Sequence, residues 1–456
     1  MNLGAALLAL NLFLLMGCLH SGGSERDPCV PAQVKAEVLA TARHHYLWPE
    51  LLKQDLDPDA FGSPEALLAA LITPAREAGR DRDWTSFVDS AAQREHEAGR
   101  MLAYGFRLGF RGSGLFIAQV TPGSGAAAAG LARGQEVLAA AATAEGLDAP
   151  GSQIGAGSPE LAALLYPERE GAVLHVRVRP RTGPPVDAAV AARALLIDPV
   201  PGAEAPRILD AGHGHRVGYL PLATFGGNAA ARLRTVMGRF RQAGATDLIV
   251  DLRYNPGGDT KVAILLANLL RRTHGADEVL YKVQHNPRNR ARDHVARFSA
   301  EPDAMDPGKL AFIVSGSSAS ASEAVPNVLA PYYGHRLALV GNRTAGKPVG
   351  QSVHKHPHCG WALWVVSFQF QNAQGGGGYF GGLPYPGFAG VTCRAEDDLT
   401  RELGDPAEAS LAAALAWIAT GANPGPFDPP SNPWLASGPR LDLGPERTER
   451  LIPGLF

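Results

Sequence analysis

The sequence predicts a multidomain α/β protein: a helical N-terminal segment, a β-rich middle, and a core in which strands alternate with helices. Three observations carry this. Apolar residues recur at helical spacing between Pro31 and Arg94. They alternate with period two from Val173 to Val178. From Asp187 to about Gly421 they gather in short buried-type runs separated by amphipathic stretches. The 456 residues leave room for about three domains of ordinary size. At 45% hydrophobic the chain can bury a sizeable core, and its 53 glycines and 36 prolines favour many turns over a helical bundle. A formal net charge of -2, with no domain-wide basic excess, sets nucleic acid aside as a partner.

At the N-terminus, Ala5 to Met16 form an apolar run broken only by Asn11, followed by Gly17-Cys18. The run is too short for a comfortable permanent span. It resembles a bacterial lipoprotein signal over residues 1–18, with Cys18 as the lipidated residue, although Met1 to Gly4 lack the usual Lys or Arg. An ordinary secretory signal is the alternative. Leu19 replaces the Asp that commonly retains such proteins at the inner membrane. The expectation is therefore an exported, lipid-anchored outer-membrane protein facing the periplasm or the exterior. Residues 19–30 read as a polar tether.

Residues 31–98 are expected to form a helical domain. Val34, Val38, Leu39 and Ala42 share one helical face, and Leu67, Leu68 and Leu71 follow a Ser63-Pro64-Glu65 start signal. Residues 99–183 read as a β domain, 184–422 as the layered α/β core, and 423–456 as a Pro/Gly-rich tail. With Cys18 lipidated, Cys359 and Cys393 are expected to pair in an oxidising compartment, leaving Cys29 free.

Chemistry concentrates at strand ends of the core. The strand Asp247–Arg253 ends in Tyr254-Asn255-Pro256-Gly257-Gly258, where two glycines permit a sharp turn and free amides near a ligand. The strand Leu310–Val314 runs into Ser318-Ala319-Ser320-Ala321-Ser322-Glu323 and a helix. A hydroxyl there can project among its own backbone amides, with a helix N-terminus to stabilise an oxyanion. Serine is also a common N-cap, so this segment alone is ambiguous. After Leu337–Gly341 comes Thr344-Ala345-Gly346-Lys347-Pro348-Val349-Gly350-Gln351. A lysine among small, apolar neighbours can be desolvated until its neutral amine acts as a base; an exposed turn lysine is the plainer reading.

Taken in order, Asp251-Leu252-Arg253 with Asn255-Pro256-Gly257-Gly258, Ser-Ala-Ser-Ala-Ser-Glu, and Thr-x-Gly-Lys-x-x-x-Gln resemble the three signatures of the carboxyl-terminal processing proteases, relatives of the tricorn core peptidases. The resemblance implies a crotonase-like α/β core and a serine endopeptidase cleaving proteins near their C-termini. It implies Ser320 as nucleophile, Lys347 as base and Gln351 as the residue holding the lysine, with backbone amides of Ala321 and Gly257 as oxyanion hole. No cofactor is implied. Tyr104 to Val137 resembles the PDZ domain of these proteases, whose carboxylate-binding loop falls at Gly105, Phe106, Arg107 and Leu108; the expected partners are polypeptides with free C-termini. Gly134-Gln135 departs from the usual Gly-Asp of that domain.

Two rivals remain, a catalytically silent PDZ-bearing peptide-binding lipoprotein and, more distantly, a crotonase-like acyl-transfer enzyme. Intact Ser320, Lys347 and Gln351 argue against both. His354, His356 and His358 alternate beside Cys359, but Pro357 interrupts the strand and the resembled family needs no metal, so a zinc site is not expected.

Overall fold

Proline at the first turn starts both long N-terminal helices, α1 (Pro31–His45) and α2 (Pro64–Glu77), and Ser63 caps α2 by accepting from Ala66 N at 3.2 Å. The computed structural model describes residues 29–111, 114–149, 164–167, 169–201 and 207–427. The signal segment with Cys18, nearly all of the tether and the tail beyond residue 427 lie outside these. Among the described residues no helix is long and apolar enough to cross a membrane.

The N-terminal helices pack against strands from late in the chain. Val38, Leu39, Leu67, Leu71 and Ile72 share one core with Trp361, Leu363 and Val365, which come from late in the chain. Between them β1 (Ser86–Asp89) is followed by α3 (Ser90–Glu97). Two short amphipathic helices expose more apolar surface than they can bury on each other, so they complete a layer against a sheet.

The β-rich middle begins at β2 (Arg100–Ala103) and continues through β3 (Phe106–Arg111), β4 (Gly114–Val120), the short α4 (Gly125–Ala128), β5 (Glu136–Ala141), β6 (Val173–Arg179), β7 (Val186–Ala191) and β8 (Arg193–Leu196). Strands β3 to β7 pair in chain order as a five-stranded antiparallel sheet, and β2 pairs with β8. The period-two pattern of β6 buries Leu174, Val176 and Val178 against Ile117, Val137 and Val190. Strands β7 and β8, which follow residue 183, complete these two sheets.

The core holds β9 (Arg207–Asp210), β10 (Arg216–Pro221), α5 (Ala229–Gln242), β11 (Asp247–Asp251), α6 (Thr260–Leu269), β12 (Val279–His285), β13 (His294–Arg297), β14 (Leu310–Val314), α7 (Ala321–Tyr333), β15 (Leu337–Gly341), β16 (Val349–His356), β17 (Trp361–Gln371), β18 (Val391–Arg394) and α8 (Ala409–Thr420). A six-stranded sheet in the order β18-β15-β14-β11-β10-β9 is parallel except at β9. Its central strands β11, β14 and β15 are buried along their whole length. Apolar residues of α5, α6 and α7 cover one face, while Leu411, Trp417 and Ile418 of α8 cover the other. Burial on both faces explains why these strands read as unbroken apolar runs. A second sheet joins β1, β17, β12 and β13, with β16 paired to β17.

Cys29 and Cys359 form a disulfide, joining the start of the described chain to the turn between β16 and β17. This corrects the expected Cys359–Cys393 pair. Cys393 is a reduced, buried residue of β18 in the other sheet, and burial pushes its thiol up to about 11. Nearness in sequence misled here, because the two residues belong to different layers.

Candidate active site

The parallel strands β11, β14 and β15 all end at one edge of the sheet, where chains emerging from neighbouring strands meet. After β14 the chain makes a serine-rich turn in which two hydroxyls have structural duties. Ser318 Oγ donates to Leu252 O at 2.7 Å and accepts from Ser315 N, while Ser322 Oγ donates to Asn255 O at 2.9 Å; both serines are fully buried. Ser320 lies between them, partly exposed, with φ 56° just before α7. Among the described residues its hydroxyl donates to no protein atom. A non-glycine residue at positive φ is strained, and the turn holds it because its neighbours are tied down on both sides.

After β11, Asn255 bridges two segments: Nδ2 donates to Leu222 O at 2.8 Å and Oδ1 accepts from Gly257 N at 2.9 Å. Gly257 has φ 108°, and a Cβ there would stand 2.9 Å from Ser320 Cβ and 3.0 Å from Ala321 N. Glycine is therefore required by close approach to the serine turn. Its amide, expected to serve an oxyanion, is instead spent on the Asn255 side chain. Among the described residues of the two turns, 255–258 and 318–322, the amides without a partner are those of Gly258 and Ala321. The preceding Asp251 and Arg253 act structurally: Arg253 bonds Asp251 at 2.7 Å and Glu408 at 2.9 Å, and Tyr219 OH donates to Asp251 at 2.8 Å.

After β15 the chain delivers Lys347. A buried carboxylate, Glu323 in the first turn of α7, ties this segment to the serine turn. Its Oε2 accepts from Ser320 N at 2.9 Å and Lys347 N at 2.8 Å, and its Oε1 accepts from Gly346 N at 2.7 Å and Thr344 Oγ1 at 2.5 Å. Burial raises the Glu323 pKa, and these four hydrogen bonds oppose the rise. Lys347 is 4% exposed, and burial lowers its pKa to about 8 against the opposing fields of Asp81 and Glu323. Nζ donates to Gln351 Oε1 at 2.7 Å, and Gln351 Nε2 donates to Trp84 O. The β16–β17 register jumps at this point, from Gly350 opposite Phe368 to Gln351 opposite Val366. Such a bulge re-aims a side chain locally.

Glu323, Asp81 and the Trp84 carbonyl were not anticipated from sequence. Glu323 carried a signal, since Ser320-x-x-Glu323 is a capping-box pattern. The other two lie far from Lys347 in sequence and had none.

Of the expected peptide-binding loop, Gly105 alone is a turn residue; Phe106, Arg107 and Leu108 belong to β3, paired with Val120, Gln119 and Ile117 of β4. Gly105 has φ 91° and packs on Ser124, and its carbonyl accepts from Thr121 N at 2.8 Å. Arg107 faces the core: its guanidinium donates to Tyr254 O at 2.6 Å, and burial lowers its pKa to about 10. The histidines after Gln351 diverge. His354 Nε2 is 2.9 Å from Ser352 Oγ, whereas His356 stacks on Trp361 at 3.8 Å and approaches Glu37.

Fold and site together define an α/β protein whose reactive side chains gather at the carboxyl edge of a parallel sheet. Residues 216–382 match Peptidase family S41 and residues 33–86 match the Peptidase S41 N-terminal domain. These matches and the following relatives support assignment of the chain to the carboxyl-terminal processing protease family. It is 29% identical over 250 residues to the carboxyl-terminal-processing protease of a Picosynechococcus species, covering 54% of each chain. It is 25% identical over 303 residues to the chloroplastic carboxyl-terminal-processing peptidase 3 of Arabidopsis thaliana, covering 64% of this chain and 53% of that one. The chain thus spans about half the length of these relatives. Its fold resembles a putative S41 protease from Bacteroides fragilis, with TM-score 0.63 at 22% identity over 85% of this chain and 98% of that one. It also resembles the photosystem II D1 C-terminal processing protease, with TM-score 0.51 at 18% identity over 86% and 98%.

Proposed function

We propose that the protein is a serine endopeptidase that cleaves polypeptides near their C-termini through an acyl-enzyme. The observation that carries this is the buried Lys347, whose amine is oriented by Gln351 and whose backbone is pinned with that of Ser320 to one carboxylate. In the first step neutral Lys347 removes the Ser320 proton while Oγ bonds to the scissile carbonyl carbon. The resulting oxyanion is met by the free amides of Ala321 and Gly258 at the helix N-terminus and the glycine turn. The lysine then gives its proton to the leaving amine as the C–N bond breaks. In deacylation a water loses its proton to Lys347 and attacks the ester carbonyl; the Oγ–C bond then breaks as Lys347 returns that proton to Ser320 Oγ, releasing the acyl fragment with its new C-terminal carboxyl group. No step calls on a cofactor.

The five-stranded sheet supports a PDZ-like role, because β3 is an edge strand of its sheet and could add a peptide strand beside the Gly105 turn. The two-faced parallel sheet is in keeping with a crotonase-like core. The Cys29–Cys359 disulfide supports export to an oxidising compartment, as the Cys18 lipid anchor requires.

Incubation of the purified protein with an unfolded protein substrate, followed by mass-spectrometric mapping, tests the reading. Cleavage by wild type and none by Ser320→Ala is expected; no cleavage by either leaves the peptide-binding lipoprotein as the better description. Amidation of an apolar substrate C-terminus should slow cleavage, and equal rates would remove the terminal-carboxylate role of the β3 region. Cys18→Ser should release the protein from membranes; a cytoplasmic, unmodified chain would overturn the anchor.

A further inference from the structure

Asp81 lies in the turn between α2 and β1 with its carboxylate fully buried, and no step of peptide hydrolysis described above uses it. Its oxygens are fully engaged. Oδ1 accepts from Trp84 N at 2.8 Å and Thr85 N at 3.2 Å, and Oδ2 accepts from Tyr46 OH at 3.0 Å. These bonds fix the peptide of Trp84, whose carbonyl accepts from Gln351 Nε2; Gln351 Oε1 in turn accepts from Lys347 Nζ at 2.7 Å. A chain of hydrogen bonds thus runs from Tyr46 through Asp81, Trp84 and Gln351 to the lysine amine. It crosses from the N-terminal segment to the β16–β17 hairpin.

We propose that Asp81 is a positioning residue for the base, acting through the Trp84 carbonyl and Gln351, and that its charge helps set the pH at which the base becomes active. The proposal rests on the Ser320/Lys347 reading. A primary carboxamide presents a donor at one end and an acceptor at the other, and nothing intrinsic decides which end faces a lysine. A backbone carbonyl can only accept. With Trp84 O held in place, Gln351 must turn its NH2 toward it and its oxygen toward Lys347. The neutral amine then spends an N–H on Gln351 and keeps its lone pair for the Ser320 proton. Were the carboxamide reversed, its NH2 would bond that lone pair and the base would be blocked.

Burial raises the Asp81 pKa and the hydrogen bonds from Thr85, Trp84 and Tyr46 oppose the rise; the charge of its ionised form acts beside this orientation. Asp81 and Glu323 are the buried carboxylates whose fields favour protonated Lys347 against the effect of burial. Around them, Arg82 donates to Ala345 O at 2.9 Å and lies over the Trp84 ring, Tyr379 adjoins Glu323, and Arg76 and Glu50 flank Tyr46. Removing the Asp81 charge removes an influence that keeps the proton on the lysine. The lysine then deprotonates at lower pH, and the acid limb of activity moves in the acidic direction.

The test is the pH profile of hydrolysis of an unstructured fluorogenic peptide by the full-length protein. Asp81→Asn keeps the shape and the oxygen that accepts from Trp84 N and Thr85 N, and its new NH2 can donate to Tyr46 OH; its acid limb in kcat/KM should move down by about half a pH unit or more. Asp81→Ala should lower plateau kcat about tenfold or more, and the Asp81→Ala/Gln351→Ala double variant should be no worse than Gln351→Ala within about twofold, since both act on one amine. If Asp81→Ala does not fold, the Asp81→Asn profile decides. An acid limb that stays in place in Asp81→Asn overturns the proposal, as do losses in Asp81→Ala and Gln351→Ala that multiply; Asp81 would then only close a turn. Full activity in Ser320→Ala is a separate failure, which removes the Ser320/Lys347 reading and this proposal with it.

Discussion

The backbone amides of Ser320 and Lys347 converge on one oxygen, Glu323 Oε2, at 2.9 and 2.8 Å. Two segments that leave different strands are therefore held in mutual register by a third residue with no part in the chemistry. Because Glu323 is fully buried, the bonds operate where water cannot replace them.

Glu323→Ala should accordingly cost more than an ordinary buried polar deletion. It strands the amides of Ser320, Gly346 and Lys347 and the Thr344 hydroxyl. Loss of a single buried partner typically costs about 1–3 kcal/mol. We expect about 3 kcal/mol or more by urea unfolding, with near-complete loss of activity. Glu323→Gln keeps one accepting oxygen and should fall between. A Glu323→Ala protein of wild-type stability and activity would show that the carboxylate holds nothing together.

The three serines should separate by phenotype. Ser320→Ala removes a hydroxyl that donates to no protein atom among the described residues, so it should abolish cleavage and leave the unfolding midpoint almost unchanged. Ser318→Ala and Ser322→Ala each remove one of two donors to Leu252 O and Asn255 O, which keep the amides of Asn255 and Ala319, and each should cost about 0.5–1.5 kcal/mol. Both should retain measurable turnover at low temperature. Activity lost in Ser318→Ala or Ser322→Ala but kept in Ser320→Ala would move the nucleophile by two positions.

Lys347 links activity and stability to pH with a definite sign. Its pKa of about 8 lies below the ordinary 10.5, so between these values the unfolded chain carries a proton that the folded chain lacks. Stability therefore rises with pH across that window, and the full penalty of burying the ammonium is present below pH 8. Cleavage should rise through the same pH of about 8 as the neutral amine appears. Lys347→Met should be inactive yet more stable than wild type at neutral pH, by about 1–2 kcal/mol. A Lys347→Met protein less stable than wild type would mean that the bond to Gln351 outweighs the desolvation of the charge.

The disulfide makes a chemical prediction. Native protein alkylated without reductant should yield a Cys29–Cys359 linked peptide, and Cys393 should react only after unfolding. The cross-link closes a loop of 330 residues, and the chain-entropy account gives roughly 6 kcal/mol for so long a loop. Free thiols at both Cys29 and Cys359 in protein made under oxidising conditions would contradict the pairing.

Local composition by itself determined the strands and helices that frame the site. Asp247–Asp251, Leu310–Val314 and Leu337–Gly341 are apolar runs buried on both faces, so hydrophobicity alone marks them. The short segments after each strand carry the serine, the lysine and the glycines, because a turn must be written in consecutive residues. What tertiary structure decided is everything held by distant partners. The pairing of Cys29 with Cys359 spans 330 residues, and the bond from Gln351 to the Trp84 carbonyl spans 267. The second of these partners is a backbone atom, which no side-chain identity can announce. Likewise the amide of Gly257 was expected to be free, and the turn of the Asn255 side chain consumed it. Periodicity and spacing express interactions along the chain; the environment that lowers the Lys347 pKa is made by segments that only folding brings into contact.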